Sequence, residues 1–217
     1  MKIIKENITD QIYNVLKEKI IRRDIKPGEQ INPKDIANKY DISIMPVRDA
    51  LLRLVNKGLV VNKSRVGFFV KSFSCKEIKE IMELRKMFET YCLRENFDLL
   101  DKIRIKRIKN YMSAIEGNLT REEFDKIDFE LHDYFINVSN NSYLIKNYSQ
   151  LIDFFHLFRG LDIDRLKEAH QEHQEILNAI LDNDRSKAVE KLERHIEMVT
   201  LAILNNLKGD QDTSSAS

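Results

Sequence analysis

The sequence predicts a mainly α protein in two parts: a compact three-helix unit closed by a β-hairpin, then a longer all-helical antiparallel bundle. Three observations predict it. Lys, Glu, Ile and Leu are abundant, while only six glycines and three prolines interrupt 217 residues, a composition that favours helices. Apolar residues recur at spacings of three and four through most of the chain, and only two short runs before residue 71 read as strands. Charge also divides the chain: residues 1–71 carry 15 Lys+Arg against 8 Asp+Glu, and residues 72–217 carry 21 against 27, although the net charge is only +1. A basic segment joined to an acidic remainder is a common footprint of a nucleic-acid-binding module attached to something else.

The first helix lies in "TDQIYNVLKEKII", where Ile12, Leu16 and Ile20 share one face, and the Pro-Gly of "KPGE" (26–29) stops it. "NPKDIANKY" opens the second. Asn32 is a good N-cap, Pro33 occupies the first helical position, and Asp35 faces the positive end of the dipole, with Ile36, Ala37 and Tyr40 expected inside. The third runs from a Ser43 cap through Val47, Ala50, Leu51 and Leu54 to a stop at Gly58. Pro46 falls in its first turn, where backbone N–H groups have no intrahelical partner, so it stiffens the helix start without breaking it. Met45, Arg48, Asp49 and Arg53 point away from the buried stripe or along its border, and Met45, Arg48 and Arg53 are candidate DNA contacts. "LVVNK" and "VGFFV", joined across "SR" with Gly67 near the bend, read as a hairpin.

Three helices and a hairpin in this order describe a winged helix-turn-helix over residues 1–72. In that architecture the N-terminus of the third helix enters the major groove of double-stranded DNA, where Arg48 can donate two hydrogen bonds to guanine O6 and N7.

The segment "IKPGEQINPKDIANKYDISIMPVRDALLRLVNKGLVVNKSRVGFFV" resembles the DNA-binding domain of GntR-family bacterial transcription regulators. The likeness lies in the PG turn, the S-x-x-P-V-R-[ED]-A-L recognition helix, the L-x-x-x-G-L end and the x-R-x-G-x-x-V wing. The resemblance implies that Arg48 contacts bases, Lys34 and Ser43 the DNA backbone, and Arg65 with Gly67 the wing's groove or phosphate contacts. Ile44 and Met45 stand where members often carry Arg and Thr, so operator preference is shifted, with either side chain able to meet a thymine methyl.

Residues 73–208 read as helical almost throughout, with breaks near 98–101, 117–120, 139–142, 160–163 and 183–185, giving six helices joined by short polar loops. The polar residues 209–217 are expected to be a disordered tail. Cys75 and Cys92 form no CxxC pair, so neither a disulfide framework nor a thiolate metal cluster is indicated. The N-terminus has no apolar signal region and no run approaches the roughly 18 apolar residues of a membrane span. A cytoplasmic protein without membrane attachment is expected.

Within the bundle, polar side chains fall on apolar faces. Phe124, Ile127, Leu131 and Phe135 make one stripe, and Asp128 with His132 sits at i, i+4 on that side. Leu166, Leu177 and Ile180 place His173 inward, and Leu192 with Val199 does the same for His195. A carboxylate and three imidazoles facing an interior are unfavourable unless paired or bound to a cation, and a divalent transition metal would satisfy all four. The N₃O set suits Zn, Ni or Mn, as well as Fe or Co. Alternatively the histidines are core residues of a bundle that only dimerises. A metal-dependent hydrolase would need a further acid–base group; Glu130 and Asp133 flank the ligand helix but point elsewhere by helical phase, so no enzyme is expected.

"DFELH", "EHQEILNAILDND" and "LERH" resemble the metal-binding signatures of the FCD (FadR-like) domain, an all-helical effector-sensing bundle found in one subgroup of GntR regulators. "LRKMFE" is similar to the start of its first helix. The resemblance implies that Asp128, His132, His173 and His195 are ligands, with His170 the alternative to His173, and that His156 is not one. It further implies a small carboxylate effector, for which Arg85 and Arg159 are the candidate receptors, and a homodimer on a palindromic operator.

Overall fold

The computed structural model describes residues 8–115, 120–161 and 165–214, with side chains described as far as Leu207. The chain divides into two compact units between Ser74 and Cys75.

In the first unit, α1 (Ile8–Ile21), α2 (Pro33–Lys39) and α3 (Ile44–Asn56) pack with a three-stranded antiparallel sheet of β1 (Gln30–Ile31), β2 (Val60–Lys63) and β3 (Gly67–Val70). Strand order is β1-β3-β2, with Ile31 opposite Phe68 and Val60 opposite Val70. The apolar faces meet as the spacing predicts: Ile12, Leu16 and Ile20 of α1 and Val47, Ala50, Leu51 and Leu54 of α3 are all buried. Asn32 caps α2, its side chain accepting from the Lys34 amide at 3.0 Å, and Pro33 follows at the first position. Gly58 ends α3 at φ +76°, in the left-handed region that glycine enters without strain.

Three details differ from expectation. Strand β1 is a third strand that two residues cannot announce by alternation, and it joins the hairpin to make the sheet. Tyr40 is 38% exposed rather than buried, because it is the C-cap of a two-turn helix whose buried residue is Ala37. Ser43 holds the N-cap position of α3 in an extended conformation, but its hydroxyl makes no capping hydrogen bond.

The second unit contains α4 (Cys75–Glu95), a 3₁₀ turn at Phe97–Leu99, α5 (Lys102–Ile115), α6 (Arg121–Asn137), α7 (Ser142–Ser149), α8 (Ile152–Arg159), α9 (Leu166–Leu181) and α10 (Arg185–Ser214). Seven helices, rather than six, lie among the described residues. The additional break falls between Ser149 and Ile152, where neither glycine nor proline marks it. The Asn147 side chain donates to the Tyr143 carbonyl and the Ser149 hydroxyl to that of Lys146, so side chains compete for backbone acceptors as α7 ends.

The backbone of α10 continues to Ser214, into the segment expected to be disordered, because extending an existing helix fixes one residue for each new hydrogen bond. Residues 215–217, and the expected breaks at 117–119 and 162–163, lie outside the described residues. Helix α4 packs along α10 and α6, and α9 packs along α10 and α5, which brings the inner faces of α4, α6, α9 and α10 together. Thr120 and Glu123 form a reciprocal capping box that starts α6, the helix supplying two of the expected ligands. Among the described residues no helix is long and apolar enough to cross a membrane.

Candidate metal centre and nucleic-acid interface

Asp128 and His132 of α6, His173 of α9 and His195 of α10 converge in the bundle interior, each at most 2% exposed. Each offers one donor atom, and all four lie within 4.8 Å of one another. His173 Nε2 is 3.2 Å from His132 Nε2, 3.2 Å from His195 Nε2 and 3.2 Å from Asp128 Oδ1, and the His132 Nε2 to Asp128 Oδ1 distance is 3.5 Å. Donors bonded to one ion at about 2.0–2.2 Å stand roughly 3.0–3.5 Å apart along the edges of the coordination polyhedron. Four of the six donor pairs in the cluster have that spacing.

Its proton arrangement points the same way. His132 Nδ1 lies 2.5 Å from Glu89 Oε2, and His195 Nδ1 lies 2.8 Å from Glu172 Oε2. Each ring therefore donates outward from Nδ1, which turns its Nε2 into the cluster. His173 Nε2 carries at most one hydrogen and cannot serve both neighbours and Asp128, while its buried Nδ1 makes no hydrogen bond. The ring is held instead by Phe124, stacked at 5.6 Å and 16°. Buried lone pairs converging without enough donors form a receptor for a cation, so the residues present fit a divalent metal.

Electrostatics prepare the set. Burial pushes the His173 imidazole down to about 3, the neighbouring His195 adding to the effect. Burial, and then His132, also hold His195 well below its usual range. Both imidazoles are neutral at physiological pH. Burial alone would raise the Asp128 carboxyl, but Arg159 and then His132 hold it well below the usual carboxylate range. His132 differs: burial would lower it, yet the Glu89 and Asp128 carboxylates together outweigh that and leave it raised.

The two candidate effector arginines border the cluster, each engaged by carboxylates. Arg159 pairs with Asp128 Oδ2 through Nη1 and with Asp125 Oδ1 through Nε at 2.6 Å, its guanidinium 4.6 Å from the Phe124 ring centre. Arg85 donates from Nε to Glu89 Oε1 at 2.7 Å, and the Tyr148 hydroxyl donates to the same oxygen at 2.6 Å. A cavity of about 280 Å³ adjoins this network, lined by Arg85, His132, Tyr148, Phe129, Phe155 and His156 among others. His156 stacks on Phe129 at 3.6 Å and is no member of the cluster. His170 is buried too, but sits beside Gln174 at 3.2 Å, outside the ligand set.

Glu89, Glu172 and Tyr148 are the site residues that sequence reasoning missed. For Glu89 a signal existed: Ile78, Met82, Arg85, Glu89 and Leu93 form one helical stripe, and an acid on it is as conspicuous as the histidines. Tyr148 and Glu172 had none, because their roles depend on which side chains lie opposite.

In the first unit, Met45 is 61% exposed at the start of α3, and Arg48 and Asp49 are exposed beside it. Lys34 is exposed in the first turn of α2, and Arg65 is exposed at φ +62° between β2 and β3. Gly67 follows at φ +131°, where any added Cβ would stand 3.1 Å from Gln30 Nε2. Gln30 Nε2 donates to the Val66 carbonyl at 3.1 Å, tying the wing to β1. Arg53 is occupied internally: it pairs with Asp10 and lies 4.4 Å from the Tyr13 ring centre, joining α3 to α1.

Comparison with known proteins agrees with both units. Residues 8–70 match the model of the bacterial regulatory proteins of the gntR family, and residues 80–198 match that of the FCD domain. The chain is a GntR-family transcription regulator with an FCD domain. Proteins of this family are DNA-binding regulators rather than enzymes. Relatives of the regulator include YdhC of Bacillus subtilis, an HTH-type transcriptional regulator 25% identical over 85% of this chain and 86% of that protein. The transcriptional repressor GlaR of Escherichia coli is also 25% identical, over 85% and 90%. Among solved structures, the metal-free FCD domain of TM0439 shares 32% identity with a TM-score of 0.60, covering 64% of this chain and 99% of that one. The Zn²⁺-bound form of the same domain gives 32%, 0.58, 63% and 97%. McbR/YncC of E. coli, at 20% identity, TM-score 0.73 and 94% and 100% coverage, shares the fold.

Proposed function

We propose that the regulator is a homodimer that holds a divalent transition metal in its FCD domain and releases or grips a palindromic operator in response to a small carboxylate. The observation that carries this reading is the set of four buried donor atoms within 4.8 Å of one another, with two imidazoles already oriented by carboxylates. A Zn²⁺-bound FCD domain 32% identical to this one supports it. Asp128, His132, His173 and His195 are the ligands; zinc, nickel and manganese all suit an N₃O set. The ion, when bound, supplies a fixed positive charge in the interior. Arg85, which lines the adjoining cavity, receives the acid, and Arg159 serves chiefly to orient Asp128.

On the DNA side, Arg48 reads a guanine edge, Met45 and Ile44 offer apolar contact to a thymine methyl, Lys34 and Ser43 meet phosphates, and Arg65 with Gly67 forms the wing contact. Arg53 is set aside for packing. One winged helix spans only a few base pairs, so useful affinity needs two copies on a symmetric site.

Elemental analysis of the purified protein, together with melting curves in zinc, nickel or manganese and in chelator, tests the metal. A chain that carries none of them and gains no stability from any fails the reading. A gel shift on its own upstream region at fixed low salt tests the operator, where equal affinity for random DNA would defeat it.

A further inference from the structure

Glu89 stands where the cluster and the cavity meet, and both of its oxygens are committed. Oε2 faces His132 Nδ1 at 2.5 Å, while Oε1 accepts from Arg85 Nε at 2.7 Å and from the Tyr148 hydroxyl at 2.6 Å. Glu89 is 0% exposed, so these groups and not water decide how its charge is shared. Arg85, Tyr148 and His132 all line the cavity of about 280 Å³. Arg85 is only 6% exposed and spends only Nε on Glu89; the terminal amino groups of its fork make no hydrogen bond among the described residues. A buried guanidinium with four spare N–H donors beside a cavity is an anion receptor, and a planar carboxylate matches it.

An anion seated on that spare fork draws on the Arg85 guanidinium and the Tyr148 hydroxyl, the two groups that now donate to Glu89 Oε1. As Arg85 and Tyr148 turn towards it, the Glu89 carboxylate is left with His132 as its principal partner. A carboxylate freed of competing donors accepts more strongly from Nδ1–H, which makes the opposite nitrogen a better metal ligand. We infer that Glu89 couples the cavity to the metal centre, so that a small carboxylate anion and the metal strengthen each other's binding through the chain Arg85/Tyr148–Glu89–His132. The inference rests on the metal-and-carboxylate reading above and adds a direction and a residue to it. Reciprocity is then required: the metal must tighten the anion by the same factor.

The two carboxylates behind the histidines differ in this respect. Glu172 is half-buried, bound to Arg165 at 2.5 Å, and its partner does not line that cavity. Glu172 orients His195 without reporting on the ligand, and so provides the internal control.

The test is calorimetric titration of the full-length, metal-stripped chain with Zn²⁺, with and without saturating succinate, in the wild type and in Glu89→Gln, Tyr148→Phe and Glu172→Gln. The visible absorption of a Co²⁺-loaded sample is read in parallel. The wild type is expected to bind zinc about five- to tenfold more tightly with succinate. Glu89→Gln should weaken zinc by roughly ten- to a hundredfold and bring the succinate effect below about twofold, while Glu172→Gln weakens zinc comparably and keeps the effect. Tyr148→Phe, which leaves the ion pair in place, should give an intermediate effect, so the inference stands or falls even if Glu89→Gln does not fold. The cobalt band should shift on adding succinate to the wild type and Glu172→Gln but not to Glu89→Gln. An undiminished succinate effect in both Glu89→Gln and Tyr148→Phe overturns the inference, because the anion would then act on the ion directly. So does a wild type whose zinc affinity ignores succinate although succinate raises its melting temperature. Failure of the wild type to bind zinc, nickel or manganese in any condition refutes the metal reading beneath it.

Discussion

The interior of the FCD domain and the exposed start of α3 are the two candidate sites of this regulator, and their chemistry is displayed in opposite ways. Around His173, every donor atom has a fixed partner or a fixed direction, and four of them lie within 4.8 Å of one another. Around Arg48 the side chains stand in solvent, and Met45 and Arg65 are placed without being restrained. A buried site states its ligand through unsatisfied geometry, whereas a surface built for DNA completes its geometry only against the duplex.

Substitutions can break this contrast. The largest effect is expected from His195→Ala in the presence of metal: at zinc near a thousand times its Kd the wild type should gain about 4 kcal/mol of stability, most of it absent in the variant. Melting curves with zinc and with chelator check this. An equal loss in both would assign His195 to packing. Next, Arg48→Ala should weaken operator binding by about 1–3 kcal/mol and relax discrimination, while leaving zinc content unchanged. Gel shifts on operator and scrambled DNA at one salt concentration read both. Third, Glu172→Gln should lower zinc affinity by about tenfold without altering DNA binding by the metal-loaded protein. The smallest effect is expected at Pro46→Ala, which should cost about 0.4–1 kcal/mol by loosening the unfolded chain, since Pro46 sits where the helix needs no amide. A chemical denaturation midpoint measures it. A larger loss would mean that the proline also aligns Met45 and Arg48.

Much of both regions was legible in the sequence, and for one reason: helical period turns a linear pattern into a face. The stripe Phe124, Ile127, Leu131, Phe135 carried Asp128 and His132 inward with it, and Val47, Leu51 and Leu54 left Arg48 outside. Period says nothing about what lies across the interface. The Glu89–His132 and Glu172–His195 pairs join different helices, and Arg159 proved to be held by Asp125 and Asp128 once α6 and α8 were seen together. Short elements were also invisible. Two-residue β1 has no alternation to detect, and the break between α7 and α8 is made by side-chain hydrogen bonds of Asn147 and Ser149 rather than by a helix-breaking residue.

Helix α4 is uninterrupted from Cys75, the first residue of its unit, to Glu89 beside His132. Over those residues a helix rises about 21 Å, and its ladder of hydrogen bonds resists bending far more than a loop would. One continuous helix thus carries both the boundary residue Cys75 and the carboxylate that faces His132, so that carboxylate cannot shift along the helix axis without the whole rod.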